Sequence, residues 1–131
     1  MGITARLDVI GIVVADMGKA LAFYRLLGVD APASADGEPH VEVALPGGMR
    51  LAFDTQDTIR SFHPGWTPGT GGVGLSFAVD DAAAVDALHD ELTAAGYRSE
   101  LAPFDAFWGQ RYAVVLDPDG NGVDLFAPLA S

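Results

Sequence analysis

The chain has 131 residues, half of them hydrophobic, which is enough for one packed domain or two half-domains sharing a core and too apolar for a disordered chain. Eighteen acids against seven Lys and Arg give a formal charge of −11, which argues against nucleic acid as a partner. Cysteine is absent, which excludes disulfides, thiolate metal sites and cysteine nucleophiles. No run of 18 apolar residues is present, so no membrane partner is expected. MGITARLDVIG lacks the features of a signal peptide, so a cytoplasmic protein is the expectation.

Residues 7–15, LDVIGIVVA, are β-branched and apolar and predict a buried strand. Asp16 suits a helix N-cap, and the following helix carries Ala20, Leu21, Phe23, Tyr24 and Leu27 on one stripe. Gly28 suits its stop. Val29 to Ala33 predict a short edge strand. HVEVAL (40–45), a PGG turn and MRLAFD (49–54) then predict a hairpin. SFHPGWTPGTGG (61–72) reads as a linker, rich in Gly and Pro.

After the linker the same order returns. VGLSFAVD (73–80) predicts a strand. Asp80 or Asp81 caps a helix with Val85, Leu88, Leu92 and Ala95 on its apolar stripe, and Gly96 ends it. YRSELAPF (97–104) predicts a short strand and loop. Tyr112–Leu116, the turn DPDGN (117–121) and Gly122–Phe126 form the last hairpin. The chain therefore divides into a first module (1–60), the linker (61–72) and a second module (73–131) within one structural domain. The fold class is α+β, with two βαβββ modules.

Strand alternation assigns the side chains. Val41, Val43, Leu45, Val123 and Leu125 should face the helices. His40, Glu42, Asp54, Tyr112, Asp124 and Phe126 should share the opposite faces. Aligning Pro46 with Pro118 sets Ala52 against Asp124, His40 against Tyr112 and Asp54 against Phe126. Aromatic rings mixed with a few acids suit a planar organic ligand: rings supply area and stacking, acids orient donors. The alternative, an ordinary core or interface, would leave these acids dry and unpaired at considerable cost.

Other chemistry finds little support. The three histidines, His40, His63 and His89, have no ligand spacing on one element. His40 is the best functional candidate of the three, and His89 reads as a half-buried or surface helix residue. Ser61, Ser76 and Ser99 lack a nucleophile-elbow context. PGTGGVG (68–74) lacks the lysine and preceding strand of a phosphate loop. Glu42 with Asp54 or Asp124 could form an acid–base pair.

Three features together carry a family resemblance: the paired modules, the opening GIVVADMGKALAFYRLLG and the ending LDPDGNGVDLF. They resemble the vicinal oxygen chelate superfamily of glyoxalase I, extradiol dioxygenases, and fosfomycin- and bleomycin-resistance proteins. LAFDT, the R-S-F-x-P-x-W spacing, PGTGG, WGQRYA and DPDGNGVDLFAPL are closest to its antibiotic-binding, mitomycin-resistance branch. The resemblance implies four metal positions in the enzymes, which here hold Val9, Ala52, Gly74 and Asp124. Three of these cannot coordinate a metal, so no metal and no cofactor is expected. It implies Trp108 as a stacking wall, with Trp66 a second candidate in its own pocket or a partner's. It also implies a homodimer with units paired between chains. The expected function is metal-independent binding of a planar aromatic natural product or antibiotic. The competing expectation is a metal-dependent superfamily enzyme, a lyase, epimerase or dioxygenase.

Overall fold

Strand-forming β-branched residues and helix-forming Ala/Leu segments sort the chain into seven strands and three α-helices among residues 7–69 and 74–130, which the computed structural model describes. Two compact units emerge, one of residues 1–25 and 29–68, the other of 26–28 and 69–131. No helix among the described residues is long and apolar enough to cross a membrane.

In the first unit, β1 (Val9–Val14) runs into α1 (Met17–Leu26), followed by β2 (His40–Ala44), β3 (Arg50–Thr55) and α2 (Gln56–Phe62). The sheet order is β1-β3-β2, with β1 parallel and β2 antiparallel to β3. Asp16 caps α1 by accepting from the Lys19 amide at 2.9 Å. At the other end Gly28 takes φ +92° and the Val29 amide returns to the Tyr24 carbonyl at 3.0 Å. Val41, Val43, Leu51, Phe53, Ile12 and Val14 are buried, and Tyr24 packs on Phe53 with ring centroids 5.3 Å apart.

Two local expectations change. Residues 29–33 form no strand: Pro32 starts a 3-10 turn over Ala33–Ala35, and Arg25 spends its guanidinium on the Ala31 and Pro32 carbonyls and on Asp36. Proline offers no amide for a ladder, and the Arg25 clamp satisfies the carbonyls a strand partner would have taken. Helix α2 lacks an apolar stripe and buries no residue, so hydrophobic periodicity gave no sign of it. Its cap is visible only in retrospect: the Thr55 hydroxyl accepts from the Thr58 amide at 3.2 Å. The expected linker therefore begins inside a helix, at Ser61 and Phe62.

In the second unit, β4 (Leu75–Ala78) leads to α3 (Ala82–Ala94) and then to β5 (Ser99–Ala106), β6 (Gln110–Leu116) and β7 (Gly122–Pro128). The order is β4-β7-β6-β5, with β4 parallel to β7. Asp81 is the α3 cap, accepting from the Ala84 amide at 2.8 Å. The α3 face buries Val85, His89 and Leu92 against Ala113, Val115, Val123 and Leu125. His89 thus replaces Leu88 and Ala95 in the expected stripe. It is buried rather than surface or half-buried, and its Nε2 lies 2.7 Å from the Ser99 hydroxyl. The β6–β7 turn closes on Asp117, whose carboxylate accepts from the Asp119 amide (2.9 Å), the Asn121 amide (2.8 Å) and the Asn121 side chain (3.0 Å).

Candidate functional site

The antiparallel register sets His40 against Asp54, Glu42 against Ala52 and Ala44 against Arg50, so β2 and β3 present these side chains on one face. His40 Nδ1 lies 2.6 Å from Asp54 and Nε2 lies 2.8 Å from Glu42. Both partners are carboxylates, so each ring nitrogen donates and the imidazolium is favoured. The His40 pKa is raised accordingly, first by the bond to Asp54 and then by that to Glu42. Arg50 continues the chain, donating to Glu42 and to Asp8, each at 2.5 Å. Glu42 is held below its ordinary pKa by His40 and then Arg50. These groups are exposed or half-buried, so solvent screens their mutual attraction. A separate open groove of about 640 Å3 in this unit is lined by Asp16, Asp36, Glu38, Asp57, Thr58 and neighbours. Its acids are partly committed, Asp16 to capping α1 and Asp36 to Arg25.

The second unit offers a different face. Ser76 pairs with Asp124, Ala78 and Tyr112 with Phe126, and Phe104 with Tyr112, so these side chains lie opposite the α3 layer. Asp124 accepts from the Ser76 hydroxyl at 2.9 Å. Burial, and then the neighbouring Asp124, push the Tyr112 pKa up to about 12, so it remains a donor. Trp108, at the β5–β6 hairpin tip, meets Tyr112 at 5.3 Å, Phe104 at 6.3 Å and Phe107 at 5.0 Å, all near perpendicular. Phe104 and Tyr112 are likewise edge-on at 6.0 Å. The Trp108 indole donates to Gln110 at 2.8 Å, which holds the ring while leaving it 49% exposed.

Among the expected site residues, His40, Glu42 and Asp54 come together in the first unit, and Trp108, Tyr112, Asp124 and Phe126 share one face of the second. Trp66 follows α2, where the Arg60 guanidinium sits 5.5 Å from its ring centroid. Sequence reasoning missed Arg50, Asp8, Ser76 and Phe104. Arg50 and Ser76 were accessible by the alternation that singled out Asp54 and Asp124. Phe104 was not, because two register shifts in β5 break the alternation between Ser99 and Phe104.

The registers also relate the two units. Gly11 and Glu42 flank Ala52 as Ser76 and Val114 flank Asp124. The model of the Glyoxalase/Bleomycin resistance protein/Dioxygenase superfamily matches residues 6–125. The chain belongs to this superfamily. A superfamily enzyme from Burkholderia phytofirmans PsJN is similar in structure, with a TM-score of 0.79, 26% identity, and 95% of this chain and 100% of that chain covered. A superfamily member from Sphaerobacter thermophilus gives 0.66 at 28% identity, covering 95% and 98%. A glyoxalase-related enzyme from Fulvimarina pelagi gives 0.78 at 21% identity, covering 95% and 88%, a likeness of fold alone. No curated protein matches the chain.

The metal of the superfamily's enzymes does not fit these residues. Val9, Ala52 and Gly74 have no donor atoms in their side chains, and the residues that flank Ala52 and Asp124 on the parallel strands are Gly11 and Ser76. Among the described residues no group of three or more His, Asp or Glu is arranged to hold a metal ion.

Proposed function

We propose that this superfamily member binds a planar aromatic small molecule, an antibiotic or similar natural product, and sequesters it unchanged, as in the mitomycin-resistance branch. The observation that carries this reading is the aromatic wall of Phe104, Trp108 and Tyr112 beside the Asp124 carboxylate on one sheet face. A half-exposed indole held in place by Gln110 offers a flat ring with little ordering cost on binding. The working form is a cytoplasmic C2 homodimer with units paired between chains. Sedimentation as a monomer at micromolar concentration overturns that part.

Tryptophan-fluorescence titration of metal-stripped protein with mitomycin, bleomycin and quinoxaline drugs tests the binding role. Saturable quenching supports it, and no response to any of them refutes it. His40 between two carboxylates favours a second reading, a superfamily enzyme that moves a proton at this imidazole. Turnover of a small metabolite that His40→Gln abolishes would establish it.

A further inference from the structure

The charges on the two site faces are balanced differently. In the first unit every carboxylate of the cluster meets a cation: Asp54 and Glu42 meet His40, and Glu42 and Asp8 meet Arg50. On the outer side of the second unit, Asp86 and Asp105 are both held by Arg111. Asp124 meets no such cation. Its hydrogen-bond partner Ser76 and its neighbour Tyr112 carry neutral hydroxyls, and among the described residues no Lys, Arg or His forms an ion pair with it. It is half-buried on a face that also carries Leu101, Phe104, Tyr112, Val114 and Phe126, with Trp108 at the hairpin tip against Tyr112.

A carboxylate in that setting is short of a positive charge. The Ser76 hydroxyl orients it, and its remaining lone pairs stay open. Aromatic faces add attraction for a cation rather than for an anion. The formal charge of −11 acts in the same direction at long range.

Resting on the planar-ligand reading, we infer that the ligand is cationic: a protonated amine or amidine attached to the planar ring donates to Asp124 while the ring stacks at Trp108. The Ser76 hydroxyl then serves as a positioning group, turning the carboxylate toward that nitrogen.

The test compares proflavine, a planar acridine that is cationic at neutral pH, with neutral acridine, by fluorescence titration of the full chain. The expected result is proflavine binding at least about ten-fold tighter, as for hydrogen bonds to charged groups. Asp124→Asn should erase the preference, weakening proflavine far more than acridine. Ser76→Ala keeps the carboxylate but removes a group that turns it, and should narrow the preference without abolishing it, which covers the case of a poorly folded asparagine variant. Equal affinities in the wild type overturn the cationic assignment and leave the planar reading standing. A preference that survives Asp124→Asn overturns the role of Asp124, and a preference left unchanged by Ser76→Ala overturns the positioning role of Ser76. Failure of both acridines to bind overturns the planar reading itself, and this inference with it.

Discussion

Replacing Trp108 by alanine separates a ligand wall from a core residue. The indole is 49% exposed in the free protein. Of the roughly 250 Å2 a tryptophan can bury, about 120 Å2 is therefore still open. A flat ligand on one ring face covers about half of that, ~60 Å2, worth about 1.5 kcal/mol at about 25 cal/mol per Å2. Ring-on-ring geometry adds about 0.5–1.5 kcal/mol. Trp108→Ala should then weaken binding by about 2–3 kcal/mol, a rise of about 30- to 150-fold in Kd. Stability should change far less, because the ring's aromatic partners and its hydrogen bond lie in its own hairpin: about 1 kcal/mol, a few degrees in Tm. Isothermal titration and a thermal melt on the same samples measure both. A drop in Tm of about 10 °C with unchanged affinity would refute the argument and make Trp108 a packing residue.

Other outcomes can be checked alongside. His40 has a folded pKa raised above its ordinary 6.5, so its stabilisation is fully present below that value and lost as pH rises through the folded pKa. His40→Gln should therefore lower Tm at about pH 6 and leave it near wild type at about pH 9; a deficit that grows with pH would reverse the assignment. Phe53 is fully buried against Tyr24, and Phe53→Ala should cost about 3–5 kcal/mol in denaturant unfolding. Asp117 is 4% exposed and ties three N–H groups of its turn, so Asp117→Ala should cost about 2–4 kcal/mol, with Asp117→Asn less severe.

Most of this molecule is legible wherever one physical signal acts alone. Alternation in HVEVA and GVDLF assigned His40, Glu42 and Asp124 to the faces where they stand, because a half-buried strand tolerates no other phase. The helix cap at Asp16 was readable from a single side chain, and the second was narrowed to Asp80 or Asp81, of which Asp81 is the cap. Legibility failed where tertiary groups intervened. The 29–33 segment has strand composition, yet Arg25 takes its carbonyls. His89 looked polar by type, yet Ser99 satisfies its Nε2 and lets the ring enter the α3 face. The aromatic wall was half legible: Trp108 was flagged by a family resemblance, and Phe104 was hidden by the bulged β5.

The matching registers give the chain a built-in control experiment. Four positions on the second unit's ligand face have counterparts in the first: Tyr112 and His40, Phe126 and Asp54, Asp124 and Ala52, Ser76 and Gly11. Questions that ordinarily require a second homologue can thus be posed inside one polypeptide. An aspartate grafted at Ala52 would face a glycine where Asp124 faces a serine, isolating what one hydroxyl contributes to a carboxylate on the same scaffold.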